Sequence, residues 1–190
     1  ALRRDFTINS IAYDPLNHQF LDPFQGRRDL ERKSLRHIGS SFSEDPLRVL
    51  RAMQFSARFE FRVAPETTRL CRTLELGELP KERIFEEFKK MLLLSEKPSR
   101  GLETARELGI LKAFPEINHL AGIPQDPKCH PEGDVWNHTL RVLDAAATIK
   151  TGFDEKDLEL MLAALCHDLE REPTTKYIHY RWRSLAEHES

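Results

Sequence analysis

The sequence predicts a mainly α-helical fold with a small β portion near the N-terminus. Residues 6–13 and 19–21 have the composition of strands, and residues 14–17 between them are typical of a turn. From Ser43 onward, apolar residues recur every three or four positions, which is the spacing of amphipathic helices. We therefore expect one short hairpin followed by a series of helices.

Proline and glycine indicate where these helices begin and end. Pro65, Pro80 and Pro98 stand near predicted starts, where the missing N–H of proline is tolerated, and Gly77 and Gly109 stand near predicted ends. The predicted helices cover residues 44–59, 65–76, 81–94, 98–108, 137–150 and 155–169.

Composition alone leaves the function class open. The hydrophobic content of 39% suits one sizeable core or two modest ones, and the net charge of −2 does not indicate a nucleic-acid-binding protein. Eleven Arg and Lys residues nevertheless lie between positions 27 and 72, where they would offer a positive strip to a phosphate-bearing partner. The sequence contains no Cys-x-x-Cys pair and no long apolar run, so it indicates no zinc ribbon, disulfide framework or membrane partner. A cytoplasmic location is expected.

The start of the first predicted helix carries the most informative pair of side chains. Ser43 supplies a capping hydroxyl, Asp45 places a negative charge at the positive end of the helix dipole, and Pro46 suits the first turn. On a helix over residues 44–59, Asp45 and Arg48 lie side by side, one turn apart. An acceptor edge would then stand beside a donor edge.

This pair of edges matches two of the four nucleobases. A carboxylate only accepts hydrogen bonds and a guanidinium only donates them. Cytosine and adenine present an amine beside a ring acceptor, which is complementary to Asp45 and Arg48. Uracil and guanine present the reverse order and would leave buried polar groups unpaired, at a cost of about 1–3 kcal/mol each. The alternative for these two residues is a solvated ion pair worth roughly a few tenths of a kcal/mol.

Consecutive segments of the chain resemble the motifs of a known family. They are residues 3–14 (RRDFTINSIAYD), 21–30 (LDPFQGRRDL), 35–39 (LRHIG) and 44–59 (EDPLRVLRAMQFSARF). In this order they are similar to motifs of the class II tRNA nucleotidyltransferases, which comprise the CCA-adding enzymes and the bacterial poly(A) polymerases. Residues 82–92 and 109–115 resemble the helical Arg-x-x-x-Glu segment and the step that follow in that family.

This resemblance implies an enzyme that transfers C and/or A from CTP and ATP to the 3′ end of tRNA or another RNA, with release of pyrophosphate. It also implies two Mg²⁺ ions, held by an Asp-x-Asp pair that precedes the first motif. The 190-residue sequence contains no Asp-x-Asp. We therefore expect an internal fragment that contains no catalytic residue and does not polymerise alone.

Fold class and domains follow from the same resemblance. The chain is expected to be mainly α with a small β remnant: a partial nucleotidyltransferase head over residues 1–40, a helical neck with the base-reading helix over 41–118, and the truncated start of a helical HD domain over 119–190. Residues 119–128 contain Gly122, Pro124 and Pro127, which predicts a linker between the neck and the HD domain.

Five residues match nucleotide-binding positions of the family. Arg4 matches an arginine that contacts the nucleotide, and Asp5 matches an acid near the ribose. Asp45 and Arg48 match the base-reading pair. Arg51 matches an arginine that approaches the triphosphate.

Two positions depart from the family pattern. Gln54 stands where many members have a further arginine, so we expect weaker binding of the triphosphate, with base choice unaffected. Gln25 stands where a glycine is common, which is a milder departure.

The second half of the chain resembles the opening of the HD domain that many bacterial members carry. Residues 130–134, 138–140 and 166–169 carry this resemblance, which implies that His138, His167 and Asp168 are metal ligands. Imidazole and carboxylate together suit Mn²⁺, Ni²⁺, Co²⁺ or Fe. The sequence has no aspartate after Asp168 to complete the usual set, and Glu170-Arg171-Glu172 replaces the usual Gly-Lys. His188 is an alternative fourth ligand.

Two alternatives belong to other function classes. One is a metal-dependent HD phosphohydrolase with an attached binding module, which Mn²⁺ or Ni²⁺ should stabilise and which should hydrolyse 2′,3′-cyclic phosphates. The other is a non-catalytic RNA-binding module that uses the eleven Arg and Lys residues between positions 27 and 72, here called the arginine strip. Its tRNA binding should depend on salt and should survive the loss of Asp45 and Arg48.

Overall fold

A computed structural model of the chain describes residues 1–77, 79–125, 128 and 130–169, together with the backbone of 175–178 and 181–184. The chain is mainly helical with short strands, so the predicted fold class is confirmed. The helices are α1 Gly26–Glu31, α2 Leu47–Phe59, α3 Pro65–Cys71, α4 Lys81–Leu94, α5 Ser99–Leu108, α6 Pro115–Asn118, α7 Val135–Thr148 and α8 Asp154–Cys166. The strands are β1 Ala12–Asp14, β2 Gln19–Leu21, β3 Ser34–Leu35, β4 Arg62–Val63, β5 Thr175–Ile178 and β6 Arg181–Ser184, and 3₁₀ turns cover Thr7–Ser10, Ser40–Glu44 and Ile110–Ala113.

The predicted hairpin is present, but its first strand is shorter than the sequence indicates. Strands β1 and β2 pair antiparallel, with Ala12 opposite Leu21. Thr7–Ser10 is a 3₁₀ turn, so the prediction of a strand over 6–13 is wrong for these residues. The Ser10 hydroxyl donates to the carbonyl of Thr7 at 2.6 Å, a local bond that competes with strand pairing.

Helix α2 begins at Leu47, three residues later than predicted. Asp45 has an extended backbone (φ −133°, ψ 99°), because a residue that precedes proline is disfavoured in the α conformation. Its Oδ1 accepts a hydrogen bond from the N–H of Leu47 at 3.1 Å. Asp45 therefore lies at the entrance to the helix, and the prediction that it belongs to the helix is wrong.

The other helices follow the sequence more closely. Helix α4 has the predicted bounds, and α5, α7 and α8 differ from them by at most a few residues. Helix α5 ends at Leu108 and is followed by Gly109, whose φ of 80° suits glycine. Helix α3 ends at Cys71, short of the predicted end at residue 76. The sequence does not indicate the parallel pairing of β3 with β4, which places Leu35 opposite Val63.

Helix α2 is the centre of the core, with α4 and α5 packed on it. Leu50 and Met53 on its inner face are fully buried, as the helical spacing predicts. Gly101 of α5 lets these helices approach closely, because a Cβ there would meet the side chains of Met91 and Ala57. Helix α2 is thus held by α4 and α5 on two sides.

The two C-terminal helices pack directly on α4 and α5, α8 against α4 and α7 against α5. Asp144 of α7 caps the start of α5 by accepting hydrogen bonds from the N–H and hydroxyl of Ser99 at 3.0 and 2.7 Å. Lys150 donates to the carbonyls of Leu93 and Ser95 at the end of α4, at 2.7 and 2.9 Å. Among the described helices, none has the length and apolar content needed to cross a membrane.

Candidate functional site

Asp5 is buried where the N-terminal segment meets α2. Only 6% of the residue is exposed. Its Oδ2 accepts a hydrogen bond from Arg51 Nε at 2.6 Å, and its Oδ1 accepts from Asn9 Nδ2 at 2.7 Å and from the N–H of Phe6 at 2.9 Å. These donors fix the carboxylate on both oxygens.

The donors also keep Asp5 ionised. Burial alone would raise the pKa of Asp5, but the hydrogen bonds from Asn9 and Arg51 and the charge of Arg51 outweigh it, so its pKa lies below the ordinary value. Arg51 in turn lies over the ring of Phe55, 4.9 Å from its centroid. The Asp5–Arg51 pair therefore joins the first motif to α2.

Arg48 is anchored to backbone carbonyls of two other segments. Its guanidinium donates to the carbonyl of Ser41 and, at 2.8 Å, to the carbonyl of Arg3. Arg48 therefore holds the segment before α2 and the first motif together, while the residue stays partly exposed.

Asp45 is bound by an arginine of α4. Its Oδ2 accepts a hydrogen bond from Arg83 of α4 at 3.2 Å, and both side chains are partly exposed. The ion pair that forms here is thus Asp45–Arg83, which differs from the alternative of an Asp45–Arg48 pair. Sequence reasoning missed Arg83, although it lies in the Arg-x-x-x-Glu segment, because nothing local indicates its partner.

Three other positions singled out in the sequence, Arg4, Gln54 and Gln25, differ in exposure and in backbone conformation. Arg4 is exposed at the surface beside buried Asp5. Gln54 is only 1% exposed, and neither atom of its side-chain amide has a hydrogen-bond partner among the described residues. Gln25 adopts a left-handed backbone (φ 59°) just before α1, a conformation that glycine adopts without strain. This explains why a glycine is common at this position in the family that the sequence resembles.

The structure brings His138, His167 and Asp168 together, as predicted. Their ligand atoms lie within 4.8 Å of one another. Asp168 Oδ2 lies 3.4 Å from His167 Nε2 and 4.0 Å from His138 Nε2. Two ligands of one first-row metal ion, each about 2.1 Å from it, are themselves about 3.0–3.4 Å apart, so these distances are close to those of a metal site.

Both histidines present the same nitrogen to Asp168. His167 Nδ1 donates to the carbonyl of Ala164 at 2.9 Å, because a carbonyl can only accept. His138 Nδ1 donates in the same way to Glu132 Oε1 at 2.6 Å. In the neutral form of each ring, Nε2 is therefore the nitrogen with the lone pair that a metal requires, and the residues present fit a divalent ion.

Sequence reasoning missed Glu132 and His130 as members of this cluster. His130 Nδ1 lies 3.3 Å from Glu132 Oε1, and the rings of His130 and His138 are 4.8 Å apart. The signal is the stretch His130-Pro-Glu-Gly-Asp134, which carries a resemblance but shows no ligand spacing by itself. The predicted departures at residues 170–172 and the alternative ligand His188 lie outside the described residues.

Comparisons with known proteins identify the family. The family model described as the poly A polymerase head domain matches residues 1–36, and one described as the probable RNA and SrmB-binding site of polymerase A matches residues 60–120. The Multifunctional CCA protein of Methylococcus capsulatus is 46% identical over 98% of this chain and 44% of its own length. The chain belongs to the class II CCA-adding enzyme and poly(A) polymerase family.

Other members give the same result. The Multifunctional CCA protein of Xylella fastidiosa is 45% identical over 88% of this chain and 41% of its own length. The chain therefore spans less than half the length of these two relatives.

Solved structures of the family share the fold. A tRNA-processing enzyme with CTP is 30% identical, with a TM-score of 0.63 over 90% of this chain and 47% of its own. The CCA-adding enzyme of Thermotoga maritima, complexed with tRNA, is 25% identical, with a TM-score of 0.61 over 87% of this chain and 40% of its own.

Proposed function

We propose that this chain is part of a template-independent RNA nucleotidyltransferase that adds C and/or A to the 3′ end of tRNA, from CTP and ATP, in the cytoplasm. The observation that carries the proposal is the anchoring of Asp45 and Arg48 at the entrance to α2, each by a partner on another segment. Relatives that are Multifunctional CCA proteins, and a solved relative with bound CTP, support it.

Both side chains keep hydrogen-bonding capacity for a nucleobase. Each oxygen of Asp45 accepts one hydrogen bond, from Leu47 or from Arg83, and a carboxylate oxygen can accept a second. Arg48 has further N–H donors besides the two that bind backbone carbonyls. An amine would bind Asp45 and a ring acceptor would bind Arg48, which selects cytosine and adenine.

The other matched residues have supporting roles in this proposal. Arg51 is oriented by Asp5 and stacked on Phe55, and it would approach the triphosphate beside the exposed Arg4. When bound, two Mg²⁺ ions would activate the 3′-hydroxyl and neutralise the triphosphate, held by carboxylates other than those of this chain. We assign the partial head to residues 1–40, the neck to 41–118 and the start of an HD domain to 119–190.

The decisive experiment uses the open reading frame that contains this chain. Purified protein is incubated with tRNA that lacks its 3′ end and with each nucleoside triphosphate in turn. We expect incorporation of C and/or A only, and loss of this selectivity in Asp45→Ala and Arg48→Ala, while Glu31→Ala, an exposed acid elsewhere, retains it. Equal incorporation of U or G by the unmodified protein would remove the proposal.

RNA contact by the neck is a second element of this proposal. The matched family model over residues 60–120 is described as a probable RNA-binding site, and the arginine strip continues into this region. If the chain were only an RNA-binding module, tRNA binding would fall steeply with salt and would be indifferent to Asp45→Ala.

A metal-dependent phosphohydrolase activity is a second candidate, favoured by the cluster of His138, His167 and Asp168. These residues would hold Mn²⁺ or Ni²⁺ through two Nε2 atoms and one carboxylate, and the ion would supply a water of lowered pKa. The test is thermal unfolding with either ion, followed by hydrolysis of a 2′,3′-cyclic nucleotide. His167→Ala should abolish both the stabilisation and the hydrolysis.

A further inference from the structure

Glu132 lies between His130 and His138, on the far side of His138 from Asp168. Its side chain is only 8% exposed, and its Oε1 accepts the 2.6 Å hydrogen bond from His138 Nδ1. His130 Nδ1 lies 3.3 Å from the same oxygen, and Arg141 lies 3.7 Å from the other. The imidazole ring of His138 therefore separates Glu132 from the proposed ligand atoms.

Backbone contacts fix the loop that carries Glu132. Gly133, with a φ of 104°, donates its N–H to the carbonyl of His130 at 3.2 Å, and its own carbonyl accepts from Gln125 at 3.1 Å. Asp134 then caps α7 by accepting from the N–H of Asn137 at 2.8 Å, and it also accepts from the N–H of Gly122 at 3.1 Å. The loop and the first turn of α7 thus hold Glu132 against His138.

We infer that Glu132 is a positioning residue, which holds the proton of His138 on Nδ1 and thereby presents Nε2 beside Asp168. The benefit of this arrangement rests on the proposed metal-dependent activity, whereas the contacts of Glu132 are present whether or not a metal binds. A carboxylate that accepts from the outer nitrogen of a metal-binding histidine fixes the ring and makes the ligand nitrogen more basic. Here Glu132 would do this before any ion arrives.

The charge of Glu132 suits this role. A glutamate side chain is ordinarily ionised at neutral pH, and an ionised carboxylate can only accept, so the proton in the 2.6 Å hydrogen bond belongs to His138 Nδ1. His167 has an equivalent arrangement with the carbonyl of Ala164. In its neutral form, each histidine thus has its proton on Nδ1 and its lone pair on Nε2.

The first experiment measures the tautomer of His138 without any metal. ¹⁵N-labelled chain is studied by NMR at about pH 8, where histidine is neutral, and His138→Ala identifies the resonance. We expect His138 to carry its proton on Nδ1. Glu132→Ala should shift it towards the Nε2–H form, Glu132→Gln should largely restore it because the amide oxygen still accepts, and the exposed Glu159→Ala should leave it unchanged. An unchanged tautomer in folded Glu132→Ala would overturn the inference.

The second experiment separates positioning from direct ligation. By calorimetry, Glu132→Ala should weaken Ni²⁺ binding by about 10-fold or more, with a smaller effect of Glu132→Gln. At saturating Co²⁺, the absorption bands of Glu132→Ala should keep the shape of those of the unmodified chain, because the ligands are the same. A changed band shape would make Glu132 a ligand and refute a positioning role.

The two experiments distinguish failure of the inference from failure of the proposed activity. An unmodified chain that shows the Nδ1–H tautomer but binds neither Ni²⁺ nor Mn²⁺ refutes the metal-dependent function alone. A chain that binds Ni²⁺ equally well with and without Glu132 refutes the inference alone.

Discussion

Arg51 and Asp5 are 46 residues apart in sequence and form a 2.6 Å hydrogen bond between Nε and Oδ2. This bond ties the first motif to the central helix α2, because Asp5 precedes the β hairpin and Arg51 lies in α2. The orientation of a proposed triphosphate-binding side chain thus depends on a buried acid of another segment.

Loss of Arg51 should destabilise the chain. Arg51→Ala leaves the buried carboxylate of Asp5 with fewer donors, and we expect a fall of about 1–3 kcal/mol in the free energy of unfolding, measured by urea denaturation. Arg58→Ala, an exposed arginine of the same helix, should change it by less than about 0.5 kcal/mol. Equal effects of the two substitutions would contradict this.

Stability should also depend on the ionisation of Asp5. Because the pKa of Asp5 is lower in the folded chain than in the unfolded one, its contribution is complete above the unfolded value, about 3.9. It is lost as the pH falls from there through the folded pKa. Asp5→Asn should therefore be less stable at neutral pH and lose less stability below about pH 4 than the unmodified chain, as urea midpoints at each pH would reveal. Parallel pH curves for the two proteins would count against this assignment.

Loss of Arg83 should lower C or A incorporation more than it lowers stability. The Asp45–Arg83 pair is partly exposed and worth about 0–1 kcal/mol, so Arg83→Ala should unfold at nearly the same urea concentration. In the full open reading frame, however, Asp45 would lose a partner that orients it, and C or A incorporation should fall about tenfold, which corresponds to about 1.4 kcal/mol. Lys81→Ala, an exposed residue of the same helix, is the control. A reduced stability with unchanged incorporation would mean a structural role only.

Much of this site could be predicted from the sequence where the signal is local. The order of motifs predicts Asp45 and Arg48 as a pair and the cluster of His138, His167 and Asp168, and helical spacing predicts the buried face of α2. The start of α2 was harder to predict, because the capping signals at Ser43 compete with the effect of Pro46 on the residue before it. In the structure Asp45, the residue before Pro46, has an extended backbone, and α2 begins after it at Leu47.

What the sequence could not supply is the partner of each side chain. Arg83 reaches Asp45 and Arg48 reaches Arg3 only because α4 and the N-terminal segment both pack beside the start of α2. Glu132 meets His138 through a loop closed by a glycine with positive φ. Such contacts depend on tertiary packing and loop conformation, neither of which follows from residue spacing.

Gln54 should be replaceable by an apolar residue. Its amide is buried with no hydrogen-bond partner among the described residues, which is unfavourable by about 1–3 kcal/mol relative to a satisfied group. Gln54→Met preserves the volume and removes the polar atoms, so we expect equal or higher thermal stability. A marked loss of stability in this variant would indicate that the amide has a partner, such as an ordered water.

The contacts of α7 and Lys150 with α4 and α5 should determine whether these helices unfold together. Lys150 donates to carbonyls at the end of α4, and Asp144 caps the start of α5, so α7 and the residues after it satisfy backbone groups that α4 and α5 would otherwise leave unpaired. Asp144→Ala should lower the free energy of unfolding by about 1 kcal/mol and speed amide exchange in both α5 and α7. The exposed Asp154→Ala is the matched control for charge. If exchange rose in α7 while α5 stayed protected, the cap would not couple the two regions, and the histidine cluster would belong to an independently unfolding unit.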